Sequence, residues 1–398
     1  MDSMEHIKDM YGKYVLSTYT RQELCIIKGE GVWVEDITGK KYLDFFPGWA
    51  VSGIGHCHPK VVRRIREQLD RILHVSNNFY NELQPLLAAK IISHSFPGKV
   101  FFANSGAEAN EGAIKLARRY GNPGRYEIIT MEGSFHGRTL ATLTATGQEK
   151  VKTGFAPLVQ GFKHVPFNDI SAFRAAVSEK TVAVIIEPIQ GEGGINVADG
   201  EYMRSLRDIC REKDILFIVD EVQTCMGRTG SMFAYQQYGI EPDAMTLAKS
   251  LGGGLPLGAL VVNDAHKDVL PPGSHATTFG GSPIVCAAGL GVFEAIEADG
   301  LVENAAAMGQ YLVDKLTGLK RENPVIGNIR GKGLMIGVEI GMDDASVIAE
   351  ECLKGGLLIN CTQKNILRIM PPVTVQKDDI DMAMERLGQA LRKAGKKT

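Results

Sequence analysis

Short apolar runs recur through the middle of this chain, and they constrain its fold more than any other feature. They are rich in valine, isoleucine and phenylalanine and lack polar alternation, and they cover residues 100–103, 126–130, 182–186, 215–219, 244–248 and 259–262. Such runs are typical of strands buried on both faces of a parallel sheet. Helical patterns lie between them, such as the apolar spacing within residues 109–120. The alternation predicts an α/β fold with a mainly parallel, doubly wound sheet.

The two ends of the chain carry a different pattern. Residues 31–46 predict a hairpin that turns at 38–39, and residues 331–340 and 378–394 predict a glycine-rich strand region and an amphipathic helix. A chain of 398 residues is long enough for two domains. We therefore predict a large domain over residues 60–286 and a smaller α+β domain formed by residues 1–59 and 287–398.

Charge and cysteine content narrow the classes of partner. Forty-four basic and forty-six acidic residues give a formal charge of -2, so no global field attracts nucleic acid or an anionic membrane. Seven scattered cysteines without a CxxC pair are typical of a reducing cytoplasm. The polar start and the lack of any run near ~18 apolar residues predict neither a secretory signal nor a membrane span. A small-molecule partner is expected.

Polar residues follow several of the predicted strands at the point where each strand ends. Asn104–Ala107, Glu187, Asp220 and Lys249 each come directly after an apolar run. Ligands of open α/β sheets bind outside the carboxyl ends of the strands. An amine, carboxylates and a turn of small residues are therefore predicted to converge on one edge of the sheet.

Each of these residues also has a simpler interpretation. Ser105-Gly106-Ala107 could bind a phosphate at a helix N-terminus or could only cap that helix. Asp220 alone could be a strand-end cap or a metal ligand, and Lys249 alone could be a solvated loop lysine. Together they match what pyridoxal 5′-phosphate (PLP) requires, namely a Schiff-base lysine, a carboxylate for the pyridine nitrogen and a phosphate cradle. The combination favours a PLP enzyme.

Seven segments, in order along nearly the whole chain, resemble the class III (ornithine and GABA type) aminotransferases of the fold type I PLP enzymes. The segments are GIGHCHP (53–59), FANSGAEANE (102–111), SFHGRT (134–139), EPIQGEGG (187–194), DEVQTCMGRTG (220–230), TLAKSLGGGLPLG (246–258) and TTFGGSP (277–283). The similarity is greatest to the members that act on acetylornithine. It implies the PLP-dependent transferase fold and aminotransferase activity.

The resemblance implies how PLP is held. Ser105 and the backbone N–H groups of Gly106 and Ala107 would hold its phosphate. Asp220 would pair with the pyridine nitrogen. Lys249 would be both the covalent anchor and the base that moves a proton between substrate and cofactor.

Four further contacts with the cofactor follow from the same resemblance. Phe135 would stack on the ring, Val222 would pack on its opposite face, and Gln223 would approach the ring hydroxyl. Thr278 would reach the phosphate of the neighbouring subunit's cofactor. A homodimer with shared active sites is therefore implied.

The resemblance also implies how one pocket could bind two different substrates. Arg138 would bind the carboxylate remote from the reacting amine, and Thr277 would lie near the substrate. Glu192 would neutralise Arg368 when N-acetylornithine presents its terminal amine, and would release Arg368 to bind the α-carboxylate of glutamate. The implied reaction transfers the terminal amino group of N-acetylornithine to 2-oxoglutarate, as in arginine biosynthesis. The alternatives are another class III enzyme that acts on succinylornithine, ornithine, GABA or a diamine, or an aminomutase on the same scaffold. For Arg368 the alternative is an ordinary strand-end ion pair.

Three residues depart from the family pattern. Cys225 stands where glycine is usual, Ser282 stands where asparagine is usual, and Trp49 lies in a segment that usually carries smaller residues. Trp49 leaves the exact substrate open, because a large ring there changes the shape of the pocket.

Other classes of function have less support. The segment 56–58 (HCH) has no further ligand spaced nearby, so no metal site is expected. A nucleotide-dependent dehydrogenase would need a GxGxxG that opens a helix after a strand, which is missing. A non-catalytic PLP-binding protein or scaffold is conceivable, but the chain retains Lys249, Asp220 and Arg138.

Overall fold

The structure is a computed structural model that describes residues 3–394 of the chain. Within that range the helices are α1 Met4–Tyr14, α2 Pro59–Leu69, α3 Leu83–His94, α4 Gly106–Gly121, α5 Leu140–Ala145, α6 Ile170–Ala176, α7 Gly200–Glu212, α8 Pro283–Ala298, α9 Leu301–Glu322, α10 Ser346–Lys354 and α11 Lys377–Ala394. The strands are β1 Ile26–Glu30, β2 Trp33–Asp36, β3 Lys41–Asp44, β4 Gly98–Ala103, β5 Glu127–Met131, β6 Phe162–Val165, β7 Thr181–Ile186, β8 Ile189–Gln190, β9 Asn196–Val197, β10 Leu216–Asp220, β11 Ala244–Leu247, β12 Gly258–Asn263, β13 Ile326–Lys332, β14 Met335–Ile340, β15 Leu357–Leu358, β16 Asn360–Thr362 and β17 Ile366–Ile369.

A seven-stranded sheet forms the centre of the molecule, with strand order β4-β12-β11-β10-β7-β5-β6. The four strand pairs from β11 to β6 are parallel, whereas β12 runs antiparallel to both β11 and β4. The prediction of a mainly parallel sheet is confirmed. All six predicted strands are present, and β6 is an additional edge strand.

Burial on both faces explains why the strand sequences do not alternate with polar residues. In β10, Leu216 and Ile218 belong to the apolar cluster under α4, while Phe217 and Val219 belong to the larger cluster on the opposite face. Successive side chains of a strand point to opposite faces, so a strand covered on both sides must be apolar throughout. The charged residue of β10, Asp220, accordingly stands at the end of the strand.

Segments from both chain ends pair in a second sheet of order β1-β2-β3-β15. The predicted hairpin is its centre, and the carboxylate of Asp36 holds the turn by accepting a hydrogen bond from the Thr38 amide at 2.8 Å. The C-terminal strand β15 pairs in parallel with β3. A third sheet, of order β13-β14-β17-β16, contains the predicted glycine-rich strand region.

The division into domains at residues 59/60 and 286/287 stays a prediction. Residues 1–2 and 395–398 of the predicted smaller domain lie outside the described residues. Among residues 3–394, no helix combines the length and the apolar character that crossing a membrane requires.

A buried arginine joins three separate parts of the chain. Arg228 is 1% exposed, and its guanidinium donates hydrogen bonds to the backbone carbonyls of Leu334, Pro371 and Gly53. Burial lowers the pKa of Arg228 to about 10, although the nearby Cys225 opposes that shift. The charge is satisfied by carbonyl dipoles of residues 53, 334 and 371, so it fixes these segments against the loop that follows β10.

Candidate active site

The carboxyl ends of four strands bring the predicted site residues together. Strands β4, β7, β10 and β11 run in the same direction, so residues 104–107, 187, 220 and 249 reach the same edge of the sheet. A cavity of about 430 Å³ lies there. Ten of the thirteen predicted site residues line it: Ser105, Gly106, Ala107, Phe135, Arg138, Glu192, Asp220, Val222, Gln223 and Lys249. A larger cavity of about 730 Å³ beside α1 contains none of the thirteen.

Lys249 opens a 3₁₀ turn, Lys249–Gly252, directly after β11. Its φ of 50° lies in the left-handed region, which costs a residue with a side chain roughly 1–2 kcal/mol. Burial lowers the pKa of its amine, while the charges of Glu192 and Asp220 oppose that shift. A lowered pKa provides the neutral amine that attack on a carbonyl requires.

A hydrogen-bond network fixes the carboxylate of Asp220, which is 3% exposed. Its Oδ2 accepts from Asn110 Nδ2 at 2.8 Å and lies 2.7 Å from His136 Nδ1, and its Oδ1 accepts from the Val222 amide at 3.0 Å. Thr246 Oγ1 donates to Asn110 Oδ1 at 2.8 Å and so sets which way the Asn110 amide faces. Asp220 is thereby held in a single orientation.

His136 is a site residue that the sequence prediction missed. Its side chain is fully buried, and its Nε2 has no hydrogen-bond partner among the described residues. Burial alone would lower the pKa of this imidazole, but the hydrogen bond and charge of Asp220 outweigh burial and raise it. The only signal for His136 was its place in the segment SFHGRT, next to the predicted Phe135.

Glu187 follows β7 and is buried beside Asp220 and His136. Its Oε2 accepts a hydrogen bond from the Phe135 amide at 3.0 Å. Burial raises the pKa of Glu187 to about 8, with the Asp220 charge adding to the shift and the His136 charge opposing it. The folded protein therefore holds a proton on Glu187 at pH values where the unfolded chain has released it.

Replacing Glu187 by glutamine is expected to change how stability depends on pH. A raised carboxyl pKa contributes stability that is fully present below the ordinary value of 4.5 and is lost as pH rises to about 8. Glutamine does not titrate, so the unfolding free energy of wild type should fall relative to the Glu187→Gln variant across that window. Urea unfolding of the cofactor-free proteins at several pH values measures the difference, with exposed Glu179→Gln as control. A pH-independent difference would contradict the expectation.

The start of α4 combines a cap with a close packing contact. Ser105 is its N-cap residue, and Ser105 Oγ accepts a hydrogen bond from the Glu108 amide at 3.2 Å. The Ser105 side chain therefore caps the helix, which is the simpler of the two interpretations drawn from the sequence. A Cβ at Gly106 would lie 2.7 Å from Val222, so only glycine lets Val222 pack against the helix start. Gly106 and Ala107, whose N–H groups no helical carbonyl can satisfy, line this cavity.

Arg138 and Phe135 lie together on one wall of the cavity. The Arg138 guanidinium is exposed and lies 5.6 Å from the centroid of the Phe135 ring. An exposed guanidinium at a cavity wall can bind a carboxylate with both arms of its planar fork.

Arg368 and Glu192 form an ion pair at 2.5 Å. Arg368 is fully buried on β17, whereas the Glu192 side chain is 24% exposed and lines the cavity. The pair therefore joins the third sheet to the turn between β8 and β9, which lines this cavity.

Thr277 and Thr278 do not line the cavity of Lys249. Both lie in a neighbouring cavity of about 460 Å³. Thr277 Oγ1 accepts a hydrogen bond from Asn104 Nδ2 at 3.3 Å, which places Thr277 beside the start of α4, and Thr278 is exposed.

The segment 56–58 does not gather metal ligands. His56 Nε2 lies 2.8 Å from Asp44, and His58 Nε2 lies 3.5 Å from Asp299, so the two histidines face different carboxylates. No group of three potential metal ligands occurs in the part of the chain that the structure describes.

Two of the three departures from the family pattern lie in buried positions. Cys225 packs behind the lysine turn, with its Sγ 3.7 Å from the Ala248 carbonyl, and burial raises its thiol pKa to about 12. Ser282 is the N-cap residue of α8, although its side chain makes no cap hydrogen bond. Neither residue lines the cavity of Lys249.

A lysine amine, an ordered carboxylate and a helix N-terminus in one cavity give this protein a site suited to covalent chemistry on a carbonyl group and to binding of an anion. Comparison with known proteins agrees. The family model for class III aminotransferases matches residues 15–391. The acetylornithine aminotransferase of Caldanaerobacter subterraneus subsp. tengcongensis is 51% identical over 383 residues, which is 95% of this chain and 97% of the relative.

Two solved structures are similar over nearly their full length. An acetylornithine aminotransferase from Elizabethkingia anophelis has a TM-score of 0.88 and 30% identity, covering 99% of this chain and 100% of that one. An ornithine aminotransferase from Toxoplasma gondii with partial PLP occupancy at its active site has a TM-score of 0.94 and 30% identity, covering 100% and 96%. The chain belongs to the class III aminotransferases and has the fold of PLP-dependent type I enzymes.

Proposed function

We propose that this aminotransferase uses PLP, with Lys249 as its covalent anchor. Two observations support the fit. Gln223 Oε1 is buried without a hydrogen-bond partner, and Gly191 leaves the space beside it, since a Cβ there would lie 1.6 Å from that oxygen. The open N–H groups at Gly106 and Ala107 suit a phosphate. Phe135 and Val222 would contact the two faces of the ring.

PLP supplies, when bound, an electron sink for charge that develops at the amine-bearing carbon of the substrate. Asp220 would keep a proton on the ring nitrogen of bound PLP, because its carboxylate is buried and held by Asn110, His136 and a backbone amide. Lys249 Nζ would take the proton from the amine-bearing carbon of the substrate and hold it beside the cofactor. Its lowered pKa makes the neutral, proton-accepting form available.

We propose N-acetylornithine and 2-oxoglutarate as the substrates, with N-acetylglutamate semialdehyde and glutamate as products, in arginine biosynthesis in the cytoplasm. The observation that carries this is the Glu192–Arg368 pair, because a guanidinium that a partly exposed carboxylate neutralises serves both substrates once that carboxylate turns away. Arg138 binds the carboxylate remote from the reacting amine. A role for Thr277 near the substrate has less support, because Thr277 lines the neighbouring cavity rather than that of Lys249. Sequence relatives named acetylornithine aminotransferase support the choice.

A panel of amine donors with 2-oxoglutarate as acceptor tests this assignment. We expect N-acetylornithine to give the highest kcat/KM, above succinylornithine, ornithine, GABA and diamines. Ornithine is the donor to compare most carefully, because the Toxoplasma gondii neighbour is an ornithine aminotransferase. A higher kcat/KM with any other donor would replace N-acetylornithine as the substrate.

Replacing Arg368 by alanine is expected to damage the two half-reactions unequally. The glutamate half-reaction should lose about a hundredfold in kcat/KM, because a charge-assisted, two-armed contact with the α-carboxylate disappears. The acetylornithine half-reaction should change far less. In the matched Glu192→Gln variant we expect the acetylornithine half-reaction to lose more than the glutamate half-reaction, because Arg368 then stays charged beside a neutral amide group. Single-turnover rates of each half-reaction measure both effects, and equal losses in both half-reactions would remove the switch.

We further propose a homodimer in which Thr278 completes the phosphate site of the neighbouring subunit. Thr278 is exposed and lies in a cavity separate from that of Lys249, which suits a residue that serves another copy. We also propose the two-domain division at residues 60–286, with the smaller domain formed by the two chain ends. The sheet that pairs β3 with β15 supports that division.

A further inference from the structure

The guanidinium of Arg368 has several partners besides Glu192. Its Nη2 and Nε donate to Asn360 Oδ1 at 2.9 and 3.2 Å, and its Nη1 also donates to the Gly191 carbonyl at 2.9 Å. None of these partners carries a charge. If Glu192 moves away, Arg368 keeps its hydrogen bonds but loses its only charged partner in this set.

Two aromatic rings lie against the same guanidinium. The Arg368 Cζ is 4.6 Å from the centroid of the Phe46 ring and 5.2 Å from that of Trp49. The two rings meet edge to face with centroids 5.1 Å apart. Ring faces within about 6 Å attract a cation, and the attraction is strongest for tryptophan. The rings therefore stabilise the charged arginine independently of Glu192.

The backbone that presents Trp49 is strained. Gly48, Trp49 and Ala50 have φ values of 55°, 61° and 71°, so two residues with side chains lie in the left-handed region. Such residues persist where their surroundings fix them, at a cost of about 1–3 kcal/mol each. Ser250, the neighbour of Lys249, fixes this turn by donating from its Oγ to the Ala50 carbonyl at 2.6 Å. The turn that carries Trp49 is thus attached to the turn that carries the lysine.

We propose that Trp49 and Phe46 form an aromatic clamp that holds Arg368 in place for a substrate α-carboxylate when Glu192 withdraws. Trp49 is then a positioning residue that determines specificity for acceptors with that carboxylate. The clamp supplies attraction to the cation without a competing negative charge, so the guanidinium stays free to pair with the substrate. This inference rests on the proposed function, since it assigns a role within the same substrate site.

Two acceptors that differ only in the α-carboxylate test the clamp in the holoenzyme. In Trp49→Leu we expect the KM for 2-oxoglutarate to rise about tenfold with kcat largely kept, because a cation–π contact of this size is lost. The KM for succinate semialdehyde, which lacks the α-carboxylate, should stay within about twofold. Trp49→Phe, which keeps a ring, should recover most of the loss. Equal KM increases for both acceptors would overturn the clamp, whereas failure of wild type to use 2-oxoglutarate would overturn the proposed function instead.

Tryptophan fluorescence provides a readout that does not depend on turnover. The chain has two tryptophans, so a Trp33→Phe variant reports on Trp49 alone. Trp33 lies on β2, with its ring against Arg386 rather than Arg368. Titrating this holoenzyme with glutarate, a dicarboxylate that cannot react, should give a saturable change in Trp49 emission. The change should vanish when Arg368→Ala is added. An unchanged emission while glutarate inhibits the enzyme would contradict the clamp.

Discussion

Replacing Lys249 by alanine is expected to lower kcat/KM for transamination by about 10⁴-fold or more. The amine has two roles, as covalent anchor and as the group that moves a proton, and loss of a proton-transfer group alone costs about 10²–10⁴-fold. Methionine or glutamine at this position should not restore activity, because neither has a nucleophilic amine. Coupled assays of glutamate formation from N-acetylornithine and 2-oxoglutarate measure the loss.

The matched control for Lys249→Ala is Lys150→Ala, which removes an exposed lysine on a surface turn. It should leave kcat/KM unchanged. Circular dichroism should show the same fold in both variants, since alanine has a Cβ like lysine and so adds no backbone strain at the φ of 50°. A Lys249→Ala enzyme with more than about 1% of wild-type kcat would contradict the assigned role.

Replacing Asp220 by asparagine is expected to lower kcat by about 10³-fold, the second-largest effect. A buried negative charge that stabilises a protonated ring nitrogen disappears, and removal of a preorganised electrostatic partner costs about 10²–10³-fold. In wild type, Asn110 Nδ2 and His136 Nδ1 both contact the charged carboxylate of Asp220. In the variant they would contact either the NH₂ group or the neutral oxygen of asparagine. Steady-state kinetics and the dissociation constant of the cofactor measure the change.

Asp220→Glu is the conservative partner of that variant. It keeps the charge but displaces it, so it should recover part of the lost kcat. A wild-type kcat in Asp220→Asn would exclude any role for the carboxylate in charge stabilisation. Loss of fold alone would instead lower stability in both variants and leave the kcat of folded protein unchanged.

Sequence patterns predicted the strand ends of this site because burial dictates composition. A strand covered on both faces must be apolar, so a polar residue directly after such a run, as with Asp220 and Lys249, marks the sheet edge. The direction of each strand in the sheet could not be predicted in the same way. Strand β12 has the composition of its parallel neighbours, yet it runs antiparallel to both of them. Apolar content carries no information about the direction of hydrogen bonding.

Residues that contact the site from other helices and loops were harder to predict from the sequence. His136 and Asn110 meet Asp220 only through tertiary packing, since they lie 84 and 110 residues away along the chain. Trp49 was noted as an unusual residue, but its contact with Arg368 depends on a left-handed turn that composition does not specify. The separate location of Thr278 likewise emerged only from the arrangement of the loop after β12.

Peptide mapping of the borohydride-reduced holoenzyme tests the central claim most directly. Purified protein incubated with PLP, reduced and digested should yield one peptide that carries the reduced cofactor, with the modification on Lys249. A modification on a different lysine, or protein that takes up no PLP, would contradict the account.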